Sequence, residues 1–229
     1  MANRVAGNRF IFQGREIVLP RHHADAHFFL HGDGWLQRWD IIARDGDFCV
    51  LQLRRQHACG FDYLAQIRYQ LLRNQLIASL TLTHCGSTPI PYGCGFHPFF
   101  SFDKRSTVQF TAGGYWPEGE QHLPLDWQSH LPGHADFSHP QYGEDRWLNV
   151  GYSGWSGRAR IVSDVMTITI LSQTSWLMLF RMQGEPFLCL EPQTHPVNAH
   201  NMDGQPGLRV LGAGDTLNFS LKIDVQGRE

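Results

Sequence analysis

The chain has 229 residues, of which 42% are hydrophobic and 17% are charged, a composition that predicts a folded protein and excludes extensive disorder. The formal net charge is −2 and no basic block occurs, so neither nucleic acid nor an anionic membrane is expected as a partner. No apolar run reaches membrane-spanning length and the start, "MANRVAGNRF", has no hydrophobic signal core. We therefore expect one domain, residues 1–229, in the cytoplasm.

Short segments rich in β-branched and aromatic residues recur along the chain and are bounded by turn residues, a pattern that predicts strands. The first is "RFIFQGREIVLP", which reads as two strands around a turn at Gln13-Gly14. The other predicted strands are residues 47–55, 69–84, 106–112, 159–172, 176–183, 187–191 and 216–225. No long capped helix pattern occurs, so we expect a mostly β protein built from antiparallel sheets.

Residues 113–147 interrupt this pattern with a segment rich in Pro, Gly and His. We expect a long excursion over one end of the sheets, and long ordered loops of this kind are usually functional.

Histidine and tryptophan are unusually frequent, with 13 and 7 copies. Histidine exchanges protons near neutral pH, and aromatic faces suit the C–H surfaces of a sugar ring. The five cysteines are odd in number and scattered, which is typical of reduced thiols rather than a disulfide framework. Phosphate loops and zinc-ligand spacings are missing from the sequence, so neither a cofactor nor a metal is expected.

Three stretches combine turn chemistry with a proton-transfer residue. In "FFLHGDGWLQRW" a strand is expected to end at His31, and in "PIPYGCGFHPFF" Pro98 favours an extended conformation at His97. In "FLCLEPQTHPVNAHN" an apolar run leads directly into Glu191. A buried carboxylate must be paired or used, so Glu191 is either a solvated strand end or a functional base. Taken singly, a histidine beside glycine is more often a hydrogen-bonded surface residue than a catalyst.

Taken together and in order, six segments resemble the aldose 1-epimerase (galactose mutarotase) family. "NRVAGNRFIFQGREIVLP" is similar to the family's Asn-Arg-(Ile/Val)-Ala segment, and "LHGDGWLQRW" and "GCGFHPFFSF" are similar to its two histidine motifs. "LNVGYSGWSGRARI" is similar to its Gly-Trp segment and "CLEPQTHPVNAHN" to its glutamate motif. "GLRVLGAGDTLNFSLKIDV" is similar to its C-terminal strand pair. The resemblance implies a large antiparallel β supersandwich and no cofactor.

The same resemblance implies roles for individual residues in opening the ring of a sugar. Glu191 aligns with the general base and His97 with the general acid, while His31 and Arg4 align with sugar-binding residues. Beside these, Gln193 is expected to bind a hydroxyl or brace Glu191. Trp39, like Trp35 and Trp155, is expected either to stack on the sugar or to belong to the core.

The sequence departs from the family pattern at two places. Where the family usually has Asp, this chain has Asn149, which brings no charge; nearby Asp145 could replace it, and Asn149→Asp is expected to raise the rate or shift its pH optimum. The chain also begins at the Asn-Arg motif, whereas family members have strands before it. An N-terminally shortened domain would leave sheet edges unpaired, which a second subunit in a homodimer could cover, and Arg4 could fray.

Three functions remain open at this point. The first is interconversion of the α and β anomers of a free aldose, a monosaccharide substrate. The second is the same reaction on a hexose phosphate, which would need a basic cluster. Arginines available for such a cluster are Arg38, Arg54, Arg55, Arg146 and Arg158. The third is a carbohydrate-binding or regulatory protein that has kept the cleft and lost catalysis.

Overall fold

The computed structural model describes residues 3–21 and 24–228 and contains eighteen strands with four single-turn 3-10 helices among these residues. The 3-10 helices are Ala6–Asn8, Gly34–Leu36, Glu120–His122 and Ala199–Asn201. The strands, in chain order, are β1 (Arg9–Phe12), β2 (Arg15–Val18), β3 (Asp40–Arg44), β4 (Phe48–Gln56), β5 (Asp62–Leu72), β6 (Gln75–His84), β7 (Ile90–Tyr92), β8 (Phe99–Ser101), β9 (Thr107–Phe110), β10 (Gly114–Trp116), β11 (Gln141–Tyr142), β12 (Leu148–Ser153), β13 (Arg158–Val162), β14 (Met166–Leu171), β15 (Trp176–Arg181), β16 (Phe187–Gln193), β17 (Arg209–Leu211) and β18 (Thr216–Gly227).

Two large antiparallel sheets dominate the structure. The smaller has five strands in the order β10-β12-β15-β16-β8, and the larger has nine in the order β11-β9-β13-β14-β18-β6-β5-β4-β3. The pairs β1-β2 and β7-β17 form two further antiparallel ladders. The mostly β fold with large antiparallel sheets is therefore confirmed.

The two large sheets pack face to face. Side chains alternate between the two faces of each sheet, so one apolar face of each sheet packs against the other. In the five-stranded sheet, Leu188 and Leu190 of β16 and Leu177 and Leu179 of β15 all lie in one core cluster. Residues of β9, β13, β14, β18 and β6 complete that cluster from the nine-stranded sheet. A second cluster joins β1, β2 and β7 to the ends of β5, β6 and β18. The opposite face of the five-stranded sheet is thereby left for polar groups.

Several predicted strands have different bounds in the structure. Residues 69–84 form not one strand but the end of β5, a turn at Arg73 and all of β6, and residues 159–172 likewise divide into β13 and β14. The C-terminal strands β17 and β18 exist, but β17 pairs with β7 and β18 with β6 and β14. In addition to loop, segment 113–147 contributes β10 to the edge of the five-stranded sheet and β11 to the edge of the nine-stranded sheet.

None of the helices found in the described residues is long and apolar enough to cross a membrane.

Candidate active site

Strand β16 places Glu191 on the face of the five-stranded sheet that lies away from the core. Leu188 and Leu190 point into the core, so Cys189 and Glu191, which alternate with them, occupy the opposite face. That face is also covered, and Glu191 is only 1% exposed. The apolar run therefore serves as a strand that is buried on both sides, and the solvated strand-end alternative for Glu191 is excluded by its burial.

His97 reaches Glu191 because its own segment runs along the end of β16. Gly95 forms a bridge with Gln193, and the Phe96 N–H donates to the Pro192 carbonyl at 3.0 Å. A side chain at Gly95 would collide with Gln193, so this close approach needs glycine. As a result His97 Nε2 lies 3.1 Å from Glu191 Oε1.

The outer atoms of this pair are buried without partners. Within the described part of the chain, neither His97 Nδ1 nor Glu191 Oε2 has a hydrogen-bond partner. Burying an unpaired polar atom costs free energy, and such atoms are commonly found where a ligand completes the bonding. The pair thus offers a free nitrogen on one side and a free oxygen on the other.

Burial shifts the two pKa values in opposite directions, because it disfavours the charged form of each group. It raises the pKa of Glu191 to about 8, although the charge of Arg4 acts against this rise. It lowers the pKa of His97 to about 4, and here the Arg4 charge adds to the effect. Around neutral pH the pair therefore holds one proton, and these shifts favour its position on Glu191.

His31 and Arg4 lie next to this pair. The His31 ring meets the His97 ring edge to face, with centroids 5.5 Å apart. The His31 N–H donates to the Asn3 carbonyl at 3.0 Å, and the Asn3 N–H donates to His31 Nδ1 at 3.1 Å. His31 is not the end of a strand, as predicted, but a turn residue with φ of 59°.

The same bonds fix Arg4, which follows Asn3 directly. The Asn3 side chain is buried and accepts the Asn198 N–H, so the expectation that Arg4 frays is wrong. Burial lowers the pKa of Arg4, while the carboxylates of Asp25, Glu118 and Glu191 act to raise it. The charges of Glu118 and Glu191, two carboxylates of this face, thus act on the guanidinium.

Asn149 stands on the same sheet, two strands away from Glu191, and contacts a carboxylate that the sequence analysis missed. Asn149 Nδ2 donates to Glu118 Oε1 at 2.5 Å. Glu118 also accepts from Trp147 Nε1 at 2.7 Å and from His122 at 2.5 Å. Asp145 does not take this place, because it accepts the Gly184 N–H instead. Only the expectation that segment 113–147 is functional pointed toward Glu118.

Gln193 and the tryptophans occupy different surroundings. Gln193 is buried on the Glu191 face, and its Oε1 atom has no partner among the described residues. Trp39 is half-buried and donates from Nε1 to the Gly34 carbonyl at 2.7 Å. Trp155 belongs to the core, whereas Trp35 is 53% exposed.

A cavity of about 420 Å³ opens beside the histidines, a volume within the range of small-molecule sites. His31, His97 and Trp39 line it, and Glu191 contacts it only through His97, which it pairs with at 3.1 Å. On the far wall Asp33 accepts from Arg55, His57 and Tyr63, at 2.5, 3.0 and 2.5 Å. This buried network holds the loop that carries His31 against strands β4 and β5.

Cys189 joins His97 and Glu191 in a group whose ligand atoms all lie within 4.8 Å of one another, close enough to hold a metal ion. Burial raises the pKa of the Cys189 thiol well above its ordinary value, as it raises that of Glu191. Both groups would have to lose a proton before they could bind a cation.

The two large antiparallel sheets have the fold of galactose mutarotase-like proteins. The sequence profile described as "Aldose 1-epimerase" matches residues 1–224. The chain therefore belongs to the aldose 1-epimerase family.

Its relatives include two Escherichia coli K12 proteins described as uncharacterized. YphB is 34% identical over 98% of this chain and 81% of its own length, and YihR is 21% identical over 87% and 69%. A crystal structure from the same organism, described as that of a candidate aldose 1-epimerase, superposes with a TM-score of 0.94 at 30% identity, covering 99% of this chain and 81% of that one. The galactose 1-epimerase of Lactobacillus acidophilus superposes with a TM-score of 0.80 at 17% identity, covering 100% and 78%, which shows the shared fold.

Proposed function

We propose that this protein is an aldose 1-epimerase that interconverts the α and β anomers of a free aldose. The reaction opens a cyclic hemiacetal: the C1 hydroxyl loses its proton, the ring oxygen gains one, and the bond between C1 and the ring oxygen breaks. The aldehyde rotates about the C1–C2 bond and the ring closes with the transfers reversed. Two groups that exchange one proton can couple these transfers, and each positioned transfer contributes roughly 10²–10⁴-fold.

The contact between His97 Nε2 and Glu191 Oε1, at 3.1 Å, is the single observation that carries the proposal. Ring opening begins with the carboxylate and imidazolium form of the pair and ends with the carboxylic acid and neutral imidazole. These forms differ only in the position of the proton that the pair shares. Glu191 acts as the base and His97 as the acid during opening, and they exchange roles during closure.

The sugar binds to this pair by displacing part of the contact between His97 and Glu191. The C1 hydroxyl bonds to Glu191, whose Oε2 is unpartnered among the described residues, and the ring oxygen bonds to His97. Arg4, His31 and Gln193 supply further bonds to hydroxyls, and Asn149 contacts the part of the ring away from C1. Trp39 presents an aromatic surface in the adjoining cavity.

The positions of the arginines support a free aldose over a hexose phosphate. Arg54 pairs with Asp62, Arg55 with Asp33 and Arg146 with Glu144. The two others considered above, Arg38 and Arg158, are exposed. A phosphate dianion would need several free donors together, and the arginines named for that role pair with carboxylates or face solvent.

Polarimetry of freshly dissolved α-glucose and α-galactose tests the proposal. The protein should raise the mutarotation rate in proportion to its concentration, and Glu191→Gln should abolish the increase while sugar binding persists. Glu185→Gln is the matched control, because Glu185 is an exposed glutamate just before β16. Sugar binding without any rate increase in the parent protein would establish a non-catalytic carbohydrate-binding protein. Activity on hexose phosphates alone would establish a hexose-phosphate 1-epimerase.

A further inference from the structure

Glu118 is held in a closed loop beside the candidate site. Glu118 forms a bridge with Pro124, and the Gly119 N–H donates to the Leu123 carbonyl at 2.7 Å. At the tip, Gln121 and His122 both have left-handed backbone conformations, with φ of 54° and 61°. Such conformations are costly for residues other than glycine and persist where the surroundings impose them. This loop therefore holds its carboxylate in a defined place.

The side-chain contacts of Glu118 keep it charged. Burial acts to raise its pKa, but hydrogen bonds from Asn149, His122 and Trp147 outweigh burial, and the pKa of Glu118 lies below its ordinary value. Its side chain keeps 22% of its surface exposed. Glu118 is thus a half-buried anion that retains room to accept a further hydrogen bond.

Glu118 faces the region where a sugar bound at Glu191 would extend. Glu118, Asn149 and Met178 line a common small cavity of about 20 Å³, room for about one water molecule. Met178 pairs directly with Glu191 across β15 and β16. Because neighbouring strands lie about 4.8 Å apart, β12 and β16 are roughly 10 Å apart, a separation that one sugar ring with its hydroxyls could bridge from Glu191 to Asn149 once it displaces the contacts that cover this face. The Arg4 charge acts on both carboxylates.

We propose that Glu118 is a specificity-determining residue, which accepts hydrogen bonds from sugar hydroxyls remote from C1 and restricts the substrate to neutral aldoses. The inference rests on the proposed epimerase function. Asn149 brings no charge to this position, and the carboxylate in contact with it supplies one. A fixed anion attracts hydroxyl donors and repels a substrate that carries its own carboxylate there.

The proposal changes the expectation for Asn149→Asp. That substitution alone would set a second carboxylate against Glu118, and like charges in contact are unfavourable. It should therefore lower activity instead of raising it. The double variant Glu118→Gln/Asn149→Asp exchanges the amide and the carboxylate, and it should recover at least tenfold of the loss caused by Glu118→Gln.

The experiment measures kcat/KM for mutarotation of galactose and galacturonate by the parent, Glu118→Gln, Glu120→Gln and the exchanged double variant. Loss of a hydrogen bond to a charged acceptor should cost Glu118→Gln about ten- to a hundredfold on galactose. Its preference for galactose over galacturonate should fall at least tenfold, while exposed Glu120→Gln matches the parent. Equilibrium binding of galactose, followed by NMR, should weaken in parallel.

The outcomes separate this inference from the proposed function. An active parent whose Glu118→Gln variant keeps the same kcat/KM and the same preference would overturn the role of Glu118 and leave the epimerase intact. A parent inactive on every aldose would overturn the epimerase. In that case unchanged galactose binding by Glu118→Gln would also refute the hydrogen bonds between Glu118 and sugar hydroxyls, whereas weakened binding would support them.

Discussion

Replacing Glu191 by Gln should remove the base and leave the shape of the site intact. Gln has the same size and can still accept a hydrogen bond from His97 Nε2, which lies 3.1 Å from the carboxylate oxygen in the parent. It cannot take a proton from the C1 hydroxyl. We expect the rate to fall by roughly 10²–10⁴-fold, the contribution of a positioned proton transfer.

The pH dependence of the parent follows from the opposite pKa shifts of the pair. Burial raises the pKa of Glu191 to about 8 and lowers that of His97 to about 4, which favours the proton on the carboxyl group in the free protein. The attraction between opposite charges at the 3.1 Å contact favours the other placement, and that placement, with a carboxylate and an imidazolium, is the form that starts ring opening.

The pair should hold one proton between about pH 4 and about pH 8. Below that window both groups are protonated and the base is lost; above it both are deprotonated and the acid is lost. Polarimetry across pH 3 to 10, corrected for buffer, should show kcat with an acid and an alkaline limb. Any activity left in the Glu191→Gln variant should lack the alkaline limb. A variant as fast as the parent, or one that keeps that limb, would refute this reasoning.

Three further predictions concern stability. Burial raises the pKa of Glu191 to about 8 in the folded protein, so the folded state binds an extra proton and loses stability as the pH rises from about 4.5 to about 8. At pH 9 the free energy of unfolding of Glu191→Gln should therefore exceed that of the parent by a few kcal/mol, and its unfolding temperature should be higher. Equal stability at that pH would contradict a buried carboxylate. Burial acts to raise the pKa of Asp33, but hydrogen bonds from His57, Tyr63 and Arg55 outweigh burial and lower this pKa to about 2. The free energy of unfolding of the parent should therefore fall by about 2 kcal/mol as the pH falls from about 4 to about 2. In urea titrations Asp33→Asn should be less stable than the parent at pH 7 and should not show this loss at low pH. A Cβ at Gly93 would overlap the buried His195 ring, so Gly93→Ala should cost roughly 1–3 kcal/mol in the same titrations, whereas Gly133→Ala, which meets nothing, should cost far less.

The sequence predicted the strands that have a clear pattern of apolar residues and missed or merged those that have no buried face or no recognisable turn residue at their ends. β4 and β16 were found because apolar residues dominate them, and β18 because apolar and polar residues alternate along it. β3 was missed because all five of its residues are exposed, so no buried face imposes an alternation. β5 and β6 were merged because the turn at Arg73 has no glycine, although Arg73 itself adopts φ of 55°. Turn chemistry of this kind is weak in a single sequence.

The candidate site was only partly accessible from the sequence. The family motifs identified Glu191 and His97, and the structure brings these two residues together with His31 and Arg4. The Glu118–Asn149 contact joins residues 31 positions apart across an irregular segment, where no periodicity relates one to the other. The sequence therefore showed that Asn149 lacks a charge but not that a carboxylate lies in contact with it.

The most direct test of the account is NMR exchange spectroscopy on galactose labelled with ¹³C at C1, with and without the protein at pH 7. The shared proton of His97 and Glu191 predicts exchange cross-peaks between the α and β signals that grow with protein concentration and vanish in the Glu191→Gln and His97→Gln variants. Cross-peaks of equal intensity in the parent and in both variants would contradict the central claim, as would an exchange rate no greater than that of buffer for glucose and galactose alike.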